Sequence, residues 1–391
     1  MTNNNSNPGT YQKLVMLPGP TNVPIEVMQA MISPSIGHRS ADFGSIMKNV
    51  TTKGNELLET NEDIIVLTSS GTGAVEASVF NLLQSGDKAL VTVCGEFGGR
   101  VSEQIEYAGA TSIQLDSGYG EFPTLADVER AFETNKDVKA LYVVTNETSS
   151  GAMCKWLKEA GELTVKHDAY LIADAVSNWG ADEMPMKDFN IDIVATCSQK
   201  AIACPPGLGL VGLSTRAKDF MLKNPPSRHY FNLPRYMQYS AKLQTPFTPV
   251  LPLYFALDKA FDLMIDEGLS DRYVRHQICG NALYDAFSAM GLEHFANPVS
   301  RSNTVISITY PHGIDDGTFR KRLAQKYGVI IAGGFGDYVG KLFRVGSMGI
   351  VHKFHILTTV SAIGYNLRDM GFNANVDKGI SAALDALNQL P

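Results

Sequence analysis

The sequence lacks any long hydrophobic run. Its 391 residues contain no stretch of about eighteen apolar residues, so no segment is expected to cross a membrane. The N-terminal residues 1–10 are polar and rich in asparagine, without the charged and apolar regions of a secretory signal. We therefore expect a cytoplasmic protein that does not bind membranes.

Positive charge is also scarce. The chain has 33 lysines and arginines against 40 aspartates and glutamates, a net charge of -7, and no basic cluster. Because a nucleic-acid-binding face needs clustered basic residues, no nucleic-acid partner is expected.

Cysteine is sparse and scattered. No two of the five cysteines form a CxxC motif, so their spacing indicates neither a disulfide framework nor a zinc site. The pattern predicts reduced, buried thiols and a protein without a bound metal. The cysteines are Cys94, Cys154, Cys197, Cys204 and Cys279.

Short apolar runs alternate with helix-length segments between residues 63 and 213. Helices at 24–31 and 42–60 precede this region. Strands are predicted at 64–68, 90–93, 112–115, 139–145, 169–173, 191–197 and 208–213, with helices at 74–83, 100–108, 125–134 and 155–166. This order predicts an α/β fold with a mostly parallel, seven-stranded sheet that has helices on both faces.

The pattern changes after about residue 215. Proline-rich loops precede a helix at 251–267, and the pattern permits its continuation past Gly268 to Met290. Strands at 304–309, 329–331 and 342–345 then alternate with helices at 315–327, 353–370 and 376–390. We predict an N-terminal segment (1–20, with a loose tail over 1–13), a large domain (21–260) and a smaller C-terminal α+β domain (261–391).

Ligands of parallel sheets bind at the carboxyl ends of the strands, so we expect the functional residues in the loops that follow the strands. Ser70, Gly71 and Thr72 follow the strand at 64–68 and precede a helix. Free N–H groups, the helix dipole and the hydroxyl groups favour an anion there. The alternative is an ordinary N-cap with a glycine turn.

Two more post-strand loops carry an aromatic ring and hydroxyl groups. Phe97 lies among glycines in a loop after the strand at 90–93, where its ring could stack on a flat ligand or pack under its own loop. Thr148 belongs to a hydroxyl-rich loop after the strand at 139–145, which by itself also suits a plain turn.

Two charged residues stand at the ends of buried strands. Asp174 needs a cationic partner, such as a protonated pyridine nitrogen, unless it caps a helix. Lys200 lies between the strand at 191–197 and a rigid Pro205-Pro206-Gly207 turn. A lysine there is costly as core filler but favourable as a neutral amine or a Schiff base, and the alternative is a side chain that reaches solvent.

Residues 207–212 match the letters of a dinucleotide-binding G-x-G-x-x-G motif. They form the predicted strand itself, however, and no helix begins at the last glycine. The match therefore predicts a strand rather than a nucleotide site.

Together, the post-strand loops supply an anion cradle, an aromatic plate, a buried carboxylate and a lysine. Pyridoxal 5′-phosphate needs these four groups: for its phosphate, its ring face, its ring nitrogen and its aldehyde. The combination predicts this cofactor.

These motifs, in this order, resemble the class V aminotransferases, and most closely the alanine–glyoxylate and serine–pyruvate aminotransferase group. The resemblance covers about residues 17–370 and implies a fold type I, pyridoxal-phosphate-dependent homodimer with active sites at the subunit interface. The motifs are Pro18-Gly19-Pro20-Thr21, Ser70-Gly71-Thr72-Gly73, Gly95-Glu96-Phe97-Gly98, Glu147-Thr148-Ser149-Ser150-Gly151, Asp174-Ala175-Val176-Ser177, Ser198-Gln199-Lys200-Ala201 and Phe343-Arg344-Val345-Gly346-Ser347-Met348-Gly349.

The resemblance also implies residue roles. Lys200 is the Schiff-base lysine and proton shuttle, Asp174 contacts the ring nitrogen, and Phe97 stacks on the ring. Arg344 clamps the substrate carboxylate, although a surface ion pair is the alternative from the sequence alone, and Gly19 lines the substrate pocket. The other cofactor-binding positions are Ser70, Gly71, Thr72, Thr148, Val176 and Gln199, with Thr245 and Thr248 reaching the neighbouring subunit's phosphate. His38 and Arg39 approach the site without an assigned role.

The implied reaction moves an amino group from alanine or serine to glyoxylate or pyruvate by a ping-pong Schiff-base mechanism. One alternative is another amine donor, such as ureidoglycine or aminoethylphosphonate. A second is a pyridoxal-dependent lyase or cysteine desulfurase, for which Cys279 lies in a predicted helix and Phe97 replaces an expected histidine. A third is a non-catalytic protein that retains the fold.

Overall fold

The computed structural model of the chain describes residues 13–390. These residues form fourteen strands and thirteen α-helices. The strands are β1 (Leu14–Val15), β2 (Ile65–Thr68), β3 (Lys88–Val93), β4 (Thr111–Asp116), β5 (Val138–Val144), β6 (Asn146–Glu147), β7 (Ala152–Met153), β8 (Tyr170–Asp174), β9 (Ile193–Cys197), β10 (Leu208–Leu213), β11 (Val305–Thr309), β12 (Val329–Ile330), β13 (Ala332–Gly333) and β14 (Leu342–Gly346). The helices are α1 (Ile25–Ala30), α2 (Ala41–Leu58), α3 (Gly71–Leu82), α4 (Glu96–Tyr107), α5 (Leu125–Thr134), α6 (Leu157–Lys166), α7 (Thr215–Lys223), α8 (Leu233–Ser240), α9 (Leu251–Glu267), α10 (Leu269–Ala289), α11 (Asp316–Lys326), α12 (Lys353–Asp369) and α13 (Val376–Leu387).

The predicted seven-stranded sheet is confirmed. Its strand order is β2-β10-β9-β8-β5-β3-β4, and every neighbouring pair is parallel except those that involve β10. The glycine-rich run at 207–212 contributes most of β10, as predicted.

Apolar side chains cover both faces of this sheet. In β5, Leu141 and Val143 belong to a core cluster on one face, and Tyr142 and Val144 to a cluster on the other. This alternation follows from the two-residue period of a strand, and it places helices on both faces of a buried sheet.

The carboxyl ends of the parallel strands meet at one edge of the sheet. Asp174, the last residue of β8, lies beside Val144 at the end of β5 and beside Ala195 in β9. Because β10 is antiparallel, its first residue Leu208 pairs with Thr68 at the same edge. The sheet topology therefore gathers the post-strand segments on one side.

The C-terminal part of the chain has its own core. Strands β11, β14 and β13 form a small antiparallel sheet that packs with α10, α11, α12 and α13. Strand β1 pairs in parallel with β12, so the chain before the site is attached to this C-terminal part. The smaller α+β domain is thus present, while its exact boundaries stay a prediction.

Several predicted helix bounds were wrong. Helix α3 begins at Gly71 and α4 at Glu96, so residues predicted as turns form the first helical turns. Helices α7 and α8 were not predicted. The possible long helix to Met290 is two helices that meet at Gly268, whose φ of +79 breaks the helical backbone. Of the predicted tail over 1–13, residues 1–12 lie outside the described residues.

All five cysteines are buried and free, as predicted. Within residues 13–390, no helix is long and apolar enough to cross a membrane, and no group of three or more metal-ligating side chains is found. The cytoplasmic location stays a prediction.

Candidate active site

A cleft opens at the carboxyl edge of the sheet. Its walls come from α3, α4, the end of β5, the β6 turn, and the end of β8 with the segment that follows it. Five of the predicted site residues line this cleft, namely Thr72, Phe97, Thr148, Asp174 and Val176.

Asp174 is buried at the base of the cleft. Its Oδ1 accepts a hydrogen bond from the backbone N–H of Val176 at 3.1 Å, and its Oδ2 has no protein partner within residues 13–390. The pKa of Asp174 is raised to about 7, mainly by burial and also by the negative charge of Glu147, while the hydrogen bond from Val176 and the charge of Lys200 oppose the shift. A cationic donor in the cleft would stabilise the carboxylate.

Lys200 lies in the turn after β9, and its Nζ donates a hydrogen bond to the backbone oxygen of Pro18. Burial lowers the pKa of Lys200, as does the positive charge of Arg344, while Cys197 and Asp174 oppose this shift. The lysine does not reach solvent freely, which removes the alternative of a surface side chain.

Gly19 lies directly against Lys200. A Cβ atom at position 19 would come within 2.6 Å of Lys200 Cε and 2.7 Å of its Nζ, and the φ of Gly19 is +101. Only glycine therefore fits beside the lysine in this conformation. Gly19 thus contacts Lys200, while its place in the substrate pocket stays a prediction.

The Lys200 turn is fixed by residues from two distant parts of the chain. Thr21 donates its backbone N–H to the oxygen of Gln199 at 3.2 Å and its hydroxyl to the oxygen of Lys200 at 3.0 Å. From α10, the buried Arg272 donates to the oxygen of Ala201. The backbone around the lysine is thus held on both sides.

The N-terminus of α3 faces the cleft. Ser70 is the N-cap residue, yet its side chain makes no capping hydrogen bond, and the N–H of Thr72 has no protein partner within the described chain. A helix N-terminus with free N–H groups suits an anion such as phosphate. Ser70 and Thr72 are exposed, whereas Gly71 is buried against Val176 and Cys197.

Phe97 lies in the first turn of α4 rather than in a loop. Its ring meets the edge of Phe335 at a centroid distance of 5.9 Å, and the guanidinium of Arg100 lies 4.9 Å from the ring centre. Phe97 thus lies on a helix, which positions a ring more precisely than a loop does, and its stacking on a cofactor ring stays a prediction.

Arg344 is buried in β14, so the alternative of a surface ion pair was wrong. Its Nε donates to the oxygen of Gly333 and its Nη1 to the oxygen of Thr148, both at 2.7 Å. Burial lowers the pKa of Arg344 to about 10. A guanidinium has five N–H groups, so donors remain for a substrate carboxylate.

Two of the predicted residues that do not line the cleft lie in the loop before α9. Thr245 is buried elsewhere, where its hydroxyl donates to the oxygen of Phe247 at 2.7 Å, and Thr248 is exposed. Their contact with a neighbouring subunit's phosphate stays a prediction. Arg39, which had no assigned role, donates to the oxygen of Thr245 at 2.7 Å and anchors this loop.

The residues present fit pyridoxal 5′-phosphate. Free N–H groups at α3 suit its phosphate, Phe97 and Val176 suit its ring faces, and Lys200 suits its aldehyde. The hydroxyl of Thr148 and Oδ2 of Asp174 lack protein partners within residues 13–390 and line the cleft, so both are free for ring substituents. Gln199 lies directly before Lys200 in the turn after β9.

Three contributors to the site were not found from the sequence. Pro18 acts through its backbone oxygen, which no side-chain pattern reveals. Phe335 packs on Arg344, whose guanidinium carbon lies 4.6 Å from the ring centre, and the glycines on both sides of Phe335 are its only local signal. Arg272 lies in a predicted helix, where an arginine ordinarily indicates an exposed face.

Comparison with known proteins adds a family. The family model of class-V aminotransferases matches residues 17–344. An uncharacterized aminotransferase of Methanocaldococcus jannaschii is 38% identical to this chain over 96% of the chain and 98% of the relative. A serine–glyoxylate aminotransferase of Methylorubrum extorquens is 30% identical over 96% of each chain.

A solved structure has the same fold. The ureidoglycine–glyoxylate aminotransferase from Bacillus subtilis superposes with a TM-score of 0.91 at 28% sequence identity. The match covers 97% of this chain and 99% of that one. The similarity therefore includes the large sheet, the cleft and the C-terminal part.

Proposed function

The chain belongs to the class-V aminotransferase family, and from that premise we propose that it moves an amino group from L-alanine or L-serine to glyoxylate or pyruvate. It is an aminotransferase of fold type I that uses pyridoxal 5′-phosphate. Relatives named for transfer between serine and glyoxylate, over nearly the whole length of the chain, support these substrates.

The proposed roles of the residues follow from their positions. When bound, pyridoxal phosphate supplies an aldehyde for the donor's amino group and a protonated ring that draws electrons from the donor's Cα. Asp174 would keep the ring nitrogen protonated. Lys200 Nζ would take the Cα proton of the donor and return it to the aldehyde carbon of the cofactor. The lowered pKa of Lys200 favours this role.

The observation that carries the proposal is the orientation of Arg344. Two of its donors are fixed by the oxygens of Gly333 and Thr148, and this leaves the rest of the planar guanidinium to bind one carboxylate. Amino acids and 2-oxo acids share an α-carboxylate, so one arginine serves both substrates of a transamination.

The space beside Arg344 favours small substrates. Phe335 covers the guanidinium and makes a T-shaped contact with Phe97, so an apolar wall lies close to the carboxylate site. Donors such as ureidoglycine or aminoethylphosphonate would need further polar partners.

A desulfurase is disfavoured by the state of Cys279. This cysteine is buried in α10, and burial raises the pKa of its thiol to about 12, which suppresses the reactive thiolate. If the protein released sulfide from cysteine and the Cys279→Ala variant did not, the aminotransfer proposal would be wrong.

We further propose a homodimer with active sites at the subunit interface. Thr248 is exposed and lies outside the cleft of its own chain, as expected for a residue that contacts the phosphate in the neighbouring subunit. Helix α1 and the turn that follows it add the exposed apolar residues Ile25, Met28 and Ile32, which suit a buried contact.

A donor and acceptor panel tests the substrate assignment. The holoenzyme would be incubated with each amino donor and either glyoxylate or pyruvate, and the new amino acid and oxo acid would be quantified. We expect L-alanine and L-serine with glyoxylate to give the highest kcat/KM. A kcat/KM for ureidoglycine or aminoethylphosphonate at least as high as for both amino acids would overturn the assignment.

A further inference from the structure

Glu147 is a fully buried carboxylate with no cationic partner in the described part of the chain. It ends β6, directly before Thr148, and its side chain is 0% exposed. No lysine, arginine or histidine of residues 13–390 forms an ion pair with it. A buried charge of this kind is costly unless several donors stabilise it.

Four donors from two different segments surround this carboxylate. Its Oε2 accepts hydrogen bonds from the backbone N–H groups of Phe97 and Gly98, both at 3.1 Å. Its Oε1 accepts from the backbone N–H and the hydroxyl of Ser149, at 3.0 and 2.5 Å. One side chain therefore joins the first turn of α4 to the turn after β6.

The side chain of Glu147 also explains why a glycine, Gly95, precedes α4. Gly95 has a φ of 165, which any residue adopts, so its backbone does not require glycine. A Cβ atom there would come within 2.5 Å of Glu147 Cγ and 2.6 Å of its Cδ. The glycine thus makes room for the buried carboxylate.

Both segments that Glu147 joins carry groups of the active site. The α4 turn presents Phe97, and the β6 turn presents Thr148, whose oxygen accepts the 2.7 Å hydrogen bond from Arg344. The negative charge of Glu147 also acts on Asp174, whose pKa it raises, and on Arg344, whose cationic form it favours.

We propose that Glu147 is a positioning residue that fixes the stacking ring of Phe97 relative to the carboxylate clamp of Arg344. It sets the distance between the cofactor ring and the substrate carboxylate. The donor and the acceptor would therefore bind with their reacting carbon near Lys200 Nζ. This role rests on the proposed function, because it assigns Arg344 to the substrate.

The Glu147→Gln variant tests the role, with Asp192→Asn as the matched control. Asp192 is also a buried carboxylate with backbone, hydroxyl and arginine donors, but it lies away from the cleft and contacts Leu171, Ser214 and Arg216. Both amides lose acceptor capacity, so both holoenzymes should melt at lower temperature. Only Glu147→Gln should also change the cofactor's surroundings.

Two site measurements separate positioning from stability. For Glu147→Gln we expect the visible circular dichroism of the bound cofactor to fall to about half, and KM for donor and acceptor to rise about tenfold with a smaller change in kcat. For Asp192→Asn both should stay at wild-type values. Wild-type dichroism and KM in folded Glu147→Gln protein would overturn the proposal.

Two milder variants keep the proposal testable if Glu147→Gln does not fold. Ser149→Ala removes one donor to Glu147, and Gly95→Ala pushes a methyl group into its side chain. Each should lower the dichroism signal and raise KM in the same direction. Unchanged values in both would count against the role.

The dichroism measurement does not depend on the substrate assignment. If wild-type protein used neither alanine nor serine, the proposed substrates would fail while the cofactor signal of Glu147→Gln would still report on Phe97. A changed KM without a changed cofactor signal would instead contradict the positioning role alone.

Discussion

At the scale of single residues, the site is built around a lysine that is held in a confined space. Pro18 accepts a hydrogen bond from Lys200 Nζ, Gly19 packs against its side chain, and Thr21 fixes its backbone. Burial lowers the pKa of Lys200, so its neutral amine is favoured, as the proposed proton transfer requires. Three of the four residues at 18–21 therefore contact the side chain or the backbone of Lys200.

Gly19→Ala should abolish most activity without unfolding the protein. The methyl group would overlap the end of Lys200, whereas the control Gly86→Ala has a similar φ of +90 and no atom within 4 Å. Both variants should lose about 1 kcal/mol of unfolding free energy from backbone strain. Only Gly19→Ala should lose kcat, by about a hundredfold or more.

Urea denaturation and steady-state kinetics check this pair of variants. Equal kcat values for Gly19→Ala and the wild-type enzyme would show that Lys200 does not need the space beside Gly19. A kcat loss of similar size in Gly86→Ala would attribute the effect to strain in general.

Asp174 predicts an unusual pH dependence of stability in protein stripped of its cofactor. Burial raises its pKa from 3.8 to about 7, so the folded state holds this proton more tightly than the unfolded state does. The contribution of Asp174 to stability is therefore present at low pH and is lost as pH rises toward 7. Asp174→Asn should remove this loss.

The comparison is made between pH 5 and pH 8. Relative to wild type, Asp174→Asn should gain about 2 kcal/mol of unfolding free energy across this range, measured by urea denaturation. Asp316 provides the control, because the hydrogen bond from Arg320 lowers its pKa, so the difference between Asp316→Asn and wild type should not change between pH 5 and pH 8. A pH-independent difference between Asp174→Asn and wild type would contradict the raised pKa.

At the scale of secondary-structure elements, strands were predicted better than the starts of helices. Continuous apolar runs such as residues 208–213 identify buried strands directly. Helices α3 and α4 begin at a glycine or beside one, a residue that ordinarily indicates a turn. Val176 and Cys197 leave no room for a larger side chain at Gly71, and Glu147 leaves none at Gly95. Local propensity does not contain that tertiary constraint.

The site could be predicted where a side chain carries the chemistry. Lys200, Asp174, Phe97 and Arg344 have reactive or recognisable groups in ordered motifs, although their roles themselves stay proposals. Pro18 contributes a backbone oxygen, and Arg272 lies in a helix that is distant in sequence. The contribution of each residue is therefore visible only in the folded structure.

Helices α9 and α10 meet at Gly268, where an ion-pair network joins them to the Lys200 turn. Glu267 accepts hydrogen bonds from Arg272 and Arg275, at 2.5 Å each, and Arg272 also donates to the oxygen of Ala201. Arg275 reaches the oxygen of Gly349 at 3.1 Å, in the segment after Arg344. The network thus holds both sides of the site.

Glu267→Ala should be strongly destabilising because it leaves Arg272 buried without its carboxylate. We expect a loss of about 3 kcal/mol in unfolding free energy, measured by urea denaturation. Asp369 is the control, since it also pairs with two cations, Arg322 and Lys326, but at the surface. If Glu267→Ala cost no more than Asp369→Ala, the network would contribute little.

At the scale of the whole molecule, the proposed dimer predicts complementation between two inactive variants. Lys200→Ala removes the lysine, and Thr248→Glu places a negative charge where a neighbour's phosphate is proposed to bind. A mixed dimer would contain one site with an intact Lys200 and the intact Thr248 of the other subunit.

Co-expressed variants with different tags allow the mixed dimer to be isolated. An equal mixture of subunits should regain about a quarter of wild-type activity, because half of the dimers are mixed and each has one intact site. Isolated mixed dimers as inactive as the two parents would show that Thr248 does not serve the neighbouring site. A monomer in sedimentation would exclude the dimer itself.

The most direct measurement follows the nitrogen atom. The holoenzyme would be given ¹⁵N-labelled L-alanine, or ¹⁵N-labelled L-serine, with unlabelled glyoxylate, and the products would be identified by mass spectrometry. The account predicts ¹⁵N-glycine in an amount equal to the oxo acid formed, and none with Lys200→Ala. Release of the label as ammonia, or unlabelled glycine, would contradict it.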